Sequence, residues 1–137
     1  MAANPSTKNA TEQLITRLLA NLPSGHTSAT VKLPNRAFAT PKDSKWLRAT
    51  VINQTAENVQ AGGLWKRYEF LFVVDLFYPI GDDTLTQLTE AETIAAVYEN
   101  QKFLGVNCQE ALITEPGEDG SWYMVQVTID GYYEGAI

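Results

Sequence analysis

The longest regular pattern in the chain runs from Leu64 to Pro79, LWKRYEFLFVVDLFYP, where successive residues sort onto the two faces of a strand. Tyr68, Phe70, Phe72, Val74, Leu76 and Tyr78 make one face wholly apolar. Arg67, Glu69, Leu71, Val73, Asp75 and Phe77 interleave charge with apolar groups on the other. At about 3.3 Å per residue such a strand reaches roughly 50 Å. It needs cover on both faces, and a chain of 137 residues has few elements to supply it. Part of the strand is therefore expected to project towards another chain.

The remaining elements follow from the same periodicities. Residues 9 to 22 place Leu14, Ile15, Leu18, Leu19 and Leu22 at helical spacing, with Asn9 and Glu12 set as a capping box and Pro23 as the stop. Thr27 to Lys32 suits a short strand. Pro34 to Pro41 is a loop holding Phe38 between two prolines, so Phe38 needs a pocket. Lys45 to Gln54 alternates Trp46, Arg48, Thr50 and Ile52 against Leu47, Ala49 and Val51. Across the loop Thr55 to Gly63, it is expected to form a long antiparallel hairpin with the first strand.

After Gly81, Asp82-Asp83 offers an N-cap to a helix carrying Leu85, Leu88, Ala91, Ile94, Ala95 and Tyr98, continuing to about Phe103, with Gly105 as its left-handed end. Val106 to Thr114 and Trp122 to Tyr133 flank the turn-rich Glu115 to Gly120 and predict a second hairpin. The fold class expected is α+β: a mainly antiparallel sheet with a long β-hairpin, packed by two α-helices. Residues 1 to 8 are expected to be a flexible tail, and residues 9 to 137 a single domain.

Composition narrows the function. An apolar fraction of 45% builds one modest core, and a formal charge of −6 argues against a generic nucleic-acid binder or a polybasic membrane-surface protein. No segment is long and apolar enough to span a bilayer and no secretory signal opens the chain, so it is expected to work in the cytoplasm. The lone Cys108 rules out an intrachain disulfide framework and, lacking companions, a zinc site; a half-buried thiol is expected.

Catalysis needs a nucleophile with a base, placed carboxylates or a metal constellation. The sole histidine, His26, lies in the loop PSGHTS with no carboxylate or cysteine motif nearby and is expected to be exposed. Asp82-Asp83 lacks the spacing of a calcium loop, and Gly62-Gly63 lacks the pattern of a phosphate cradle. No catalytic residue, metal site or cofactor is predicted. What is unusual is the aromatic load beside loops: Trp46, Trp65, Phe77, Tyr78, Trp122, Tyr123, Tyr132 and Tyr133. Trp46 with Arg48, and Arg67 on the mixed face, suit a subunit boundary, or equally well pack and snorkel on their own sheet.

Three passages give the chain a family likeness. They are Pro34-Asn35-Arg36-Ala37-Phe38-Ala39-Thr40-Pro41 leading into Lys45-Trp46-Leu47-Arg48-Ala49-Thr50-Val51; Leu76-Phe77-Tyr78-Pro79-Ile80-Gly81-Asp82 before an Ala-rich helix; and the strand after Gly120-Ser121-Trp122. In this order and spacing the chain resembles the tail terminator, or tail completion, proteins of long-tailed bacteriophages, over about Asn35 to Tyr133. It departs from them where Asp82-Asp83 stands in place of a small residue after the Pro-x-Gly turn.

The resemblance implies a virion protein without enzymatic activity. A hexameric ring would cap the head-proximal end of the tail tube, end its polymerisation, and meet the tail tube protein on one side and head completion or neck proteins on the other. DNA would pass through the lumen without sequence-specific binding, and an acidic lining would let it slide. Expected subunit or partner contacts are Phe38, Trp46, Arg48, Arg67, Phe77, Tyr78 and Asp82. The competing readings are another neck or tail-tube component and, from a different class, a small ligand-binding or enzymatic α+β domain with Phe38 and Trp46 lining a pocket. A generic adaptor is a third.

Overall fold

The computed structural model describes residues 7–58, 65–81 and 83–136. Helix α1 (Thr7–Ala20) is followed by a single 3-10 turn (Ser28–Thr30), strands β1 (Val31–Lys32), β2 (Trp46–Asn58) and β3 (Trp65–Pro79), helix α2 (Thr84–Tyr98), then β4 (Lys102–Phe103), β5 (Val106–Asp119) and β6 (Trp122–Ala136). The six strands form one sheet in the order β1-β2-β3-β6-β5-β4, antiparallel except for β1 beside β2. This is the expected α+β class, and β2 and β3 are the expected long hairpin.

The spine is β3 paired with β6, in unbroken register from Trp65↔Ala136 to Pro79↔Trp122. One face carries Leu47, Ala49, Phe70, Phe72, Val74, Leu76, Val125, Val127 and Ile129, and both helices lie on it. Helix α1 contributes Ala10, Leu14 and Leu18, one residue per turn; α2 contributes Ala91, Ile94 and Tyr98. Polar bonds join the layers. Tyr98 Oη donates to Leu14 O at 2.7 Å, linking the helices, and Gln87 Nε2 donates to Leu76 O at 3.0 Å and Tyr123 O at 2.9 Å, clamping α2 across β3 and β6. Gly131 leaves room for this packing: a Cβ there would stand 2.4 Å from Asn107 O and 2.6 Å from Phe70 Cζ.

Several boundaries differ from the sequence expectation, each for a local reason. Helix α1 already includes Thr7, so Asn9 lies inside it and is not its cap. Part of the strand expected over residues 27–32 is a 3-10 turn, because Thr27 and Thr30 cap each other's backbone through their hydroxyls. Leu85 in the first turn of α2 is 72% exposed, while Gln87 and Glu90 are buried. Helix α2 stops at Tyr98 instead of Phe103, with Asn100 left-handed at φ 56°. Leu104 and Gly105, both left-handed, then turn β4 back into β5, so Gly105 serves a two-residue hairpin and not a helix end. The stretch from Glu115 to Asp119 is strand, and only Gly120-Ser121 turns. A bulge between Thr114 and Gly117 absorbs Pro116 on a strand that no outer strand covers there. The Gly62-Gly63 turn lies outside the described residues.

Candidate subunit interface

The sheet face turned away from the helices presents Trp46, Arg48, Thr50 and Ile52 from β2, Phe77, Asp75, Val73 and Leu71 from β3, and Met124, Gln126 and Thr128 from β6, in matched rows. None of them belongs to the core beneath the helices. At one end of this face the aromatics condense. Trp46 stacks on its cross-strand partner Phe77 with centroids 4.1 Å apart and planes at 8°, the loop residue Phe38 lies 5.4 Å from Trp46, and Trp122 meets it edge-on at 6.0 Å.

Arg48 sets its guanidinium 5.1 Å over Phe77 and binds Asp75 Oδ2 through both Nε and Nη2 at 2.9 Å; Gln126 Nε2 donates to the other carboxylate oxygen at 2.8 Å. The charge of Asp75, 2% exposed, is thus satisfied within the chain. Trp46 Nε1 is buried without an acceptor among the described residues.

Four of the seven expected contacts, Phe38, Trp46, Arg48 and Phe77, therefore form one cluster. Phe77 is already 2% exposed and Trp46 7%, so a neighbour would meet chiefly Phe38 and the Arg48 guanidinium. Arg67 stands towards the other end of β3, paired to Glu134 at 3.2 Å with its guanidinium 4.2 Å over Tyr132. Tyr78 is on the helix side, and Asp82 lies outside the described residues. Its neighbour Asp83 caps α2, accepting from Leu85 N at 2.9 Å.

A second polar cluster escaped the sequence reading. Glu90, on the buried face of α2, accepts hydrogen bonds from Tyr78 Oη and Lys45 Nζ, and His26 Nε2 stands 3.6 Å from its carboxylate. Lys45 also donates to Ser24 O at 2.8 Å. Burial, the largest single influence on Glu90, raises its pKa, but His26 and Lys45 together outweigh it and hold the carboxyl below its ordinary value. His26, expected in solvent, is buried, with Nδ1 bonded to Thr30 Oγ1 at 3.0 Å. A signal existed: Gln87, Glu90, Ile94 and Tyr98 share a helical stripe, which places Glu90 on the sheet side. Nothing local in PSGHTS points His26 inward, because its partners are 4 and 64 residues away.

Cys108 is 5% exposed, and burial pushes its thiol up to about 12, so it is held protonated. No group of three or more His, Cys, Asp or Glu among the described residues is placed to hold a metal.

The fold is an α+β sheet whose buried carboxylates, Asp75 and Glu90, are neutralised within the chain and whose aromatics gather beside a loop. The family model described as phage tail terminator protein matches residues 10–130, and the chain belongs to that family. It is thus a structural protein of the phage tail. A solved structure without a functional name shares the fold at a TM-score of 0.71, with 18% identity over 94% of this chain and 96% of its own. No curated protein matches the sequence significantly. No helix among the described residues is long and apolar enough to cross a membrane.

Proposed function

We propose that copies of this chain close into a hexameric ring on the head-proximal end of the phage tail tube, stop its polymerisation and offer head completion or neck proteins their docking surface. Family membership carries this reading, and the sheet supports it. Ile52 is 46% exposed on β2 and Leu112 61% exposed on β5, at opposite margins of the sheet. Two different margins suit the heterologous contacts of a closed ring better than the self-complementary patch of a two-fold dimer. Of the expected contacts, Phe38, Arg48 and Arg67 belong to these subunit or partner surfaces, while Trp46 and Phe77 support Phe38 and Arg48 from within the chain and Tyr78 is buried on the helix side. DNA passes through the lumen without being read.

Electron micrographs of purified tail tube protein polymerising with and without the chain test this. Six-fold rings on blunt ends and arrested tube length are expected; ordinary extension with the chain present would refute termination. Long tubes formed by the chain alone would make it a tube subunit.

A further inference from the structure

The charges that remain after intramolecular pairing are sorted by sheet edge. Along the β1 edge, the exposed side chains of Lys32, Arg36 and Lys42 face solvent with Asp43 as the only acid between Val31 and Lys45. Along the opposite edge, exposed Glu110, Glu115, Glu118 and Asp119 follow one another on β5 without a base among them. Lys32, Arg36, Lys42, Glu110, Glu118 and Asp119 make no ion pair among the described residues. Lys102 on β4 shares a cavity with Glu110, and Glu12 on α1 shares one with Arg36, so the sorting is cleanest at Lys32 and Lys42 on one edge and at Glu118 and Asp119 on the other.

Parts of the two patches lie at the same end of the sheet, while Glu110 lies farther along β5, at the level of Asp130 and Leu71. The basic loop runs into Trp46 and touches it through Phe38, and Trp46 pairs with Phe77, which pairs with Met124, which pairs with Gly117 of β5. Glu118 and Asp119 sit just beyond that row, opposite Tyr123 and Trp122. Glu118 and Asp119 thus share a level with the basic loop, and charges matched in level on opposite edges can be joined by rotation without a rise, which closes a ring and does not start a helix. Some edge backbone is open: β1 covers β2 at Leu47 and Arg48, leaving Ala49–Asn58 without an outer strand among the described residues. On the other edge β4 covers Val106 and Asn107, residues 99–101 bond Cys108, Gln109 and Ala111, and Leu112–Asp119 have no outer strand among the described residues. β2 and β5 are separated by three antiparallel steps, so the β2 edge of one copy facing the β5 edge of the next would again be antiparallel. Ile52 and Leu112 would then share a face.

Resting on the ring proposed above, we infer that the basic edge of one copy, Lys32, Arg36 and Lys42, docks on the acidic edge of the next, Glu110, Glu118 and Asp119. Steering by these charges sets which edge meets which.

Two triple variants test this: Lys32→Glu/Arg36→Glu/Lys42→Glu, with two acidic edges, and Glu110→Lys/Glu118→Lys/Asp119→Lys, with two basic edges. All six residues are exposed, and unchanged circular dichroism and melting confirm the fold. Rings are counted on tube ends by electron microscopy and assembly is followed by sedimentation velocity. Wild type should assemble about tenfold or more tightly than either variant alone, and more weakly in 1 M salt, where the Debye length falls to about 3 Å. An equimolar mixture of the two variants should recover rings, because an even-membered ring can alternate them. Native mass spectrometry should then show three copies of each in a hexamer.

Wild-type rings indifferent to salt together with rings from either variant alone would overturn the edge pairing while leaving the ring intact. Folded variants whose mixture forms no rings would overturn it too. Absence of wild-type rings on tube ends would instead refute the ring itself, and the edge pairing with it.

Discussion

Substituting Glu90→Gln keeps the size of the side chain and an oxygen for Tyr78, but removes the charge on which Lys45 and His26 converge. The carboxylate side chain is 10% exposed and Lys45 25%, so the pair falls between two limits. Breaking a buried pair by removing one partner costs about 3–5 kcal/mol, and an exposed pair is worth about 0–1 kcal/mol. A quarter of the Lys45 side chain remains hydrated, so about 2 kcal/mol is expected at pH 7, or roughly 8 °C in Tm at about 4 °C per kcal/mol for a domain of this size.

The pH dependence sets this apart from a simple packing defect. The folded-state pKa of Glu90 lies below its ordinary 4.5, so its contribution is fully present above that value and is lost as pH falls through the folded pKa. Melting curves of wild type and Glu90→Gln should differ most from pH 7 to pH 5 and converge as the pH drops below 4.5. Lys45→Met should move the wild-type acid transition to higher pH, because burial then acts with less opposition. A difference between wild type and Glu90→Gln that stays constant from pH 7 to pH 3 would refute the charged cluster as the cause.

Gly131→Ala should cost about 1–3 kcal/mol by overpacking, since the new methyl meets a backbone carbonyl and a buried ring; a denaturant midpoint equal to wild type would show that β6 can shift. Phe38→Ala removes the outer ring of the aromatic stack and should abolish rings on tube ends while leaving most of the melting temperature, read by micrographs and circular dichroism; intact rings would assign Phe38 to intramolecular packing alone. Cys108 should resist a thiol reagent at pH 8 in the folded protein and react on adding urea, because its thiol is buried and its pKa is raised to about 12; rapid labelling without denaturant would contradict that burial.

What was legible in the sequence is what period and punctuation encode. The β2–β3 hairpin shows as alternation, α2 as a stripe behind Asp83, and the second hairpin as two apolar runs around a turn. Less legible was whatever depends on distant partners. Helix α2 ends where Asn100 binds Gln109 O and Gln101 closes on Tyr98 O and receives Cys108 N, pairings that no window of sequence contains. Strand β5 runs through Pro116 and Gly117 because it lies beside β6 and is uncovered outside, a fact of sheet order and not of propensity. The candidate contacts divide the same way. Proximity in sequence placed Trp46 beside Arg48, and register brought Phe77 and Asp75 to them. Tyr78, one residue on from Phe77, had to fall on the opposite face.

The second face of β3 is consequently closed in part by its own chain. Near Phe77 it is roofed by Trp46, Arg48 and Phe38, and Asp75 is neutralised, so a neighbouring copy cannot bury Phe77 or Asp75 again and can meet only the outer surfaces of Phe38 and Arg48. The same face stays open towards both margins, where exposed Leu112 ends the row Thr50, Val73, Thr128 and exposed Ile52 stands on β2 opposite Leu71. In the proposed ring, cover comes from the edges inward, through contact along β2 and β5. Edge contact of this kind uses two different surfaces on each copy. Opposite charge on those surfaces disfavours like-edge pairing, which would set three bases against three bases, and leaves rotation from one copy to the next as the arrangement that satisfies both.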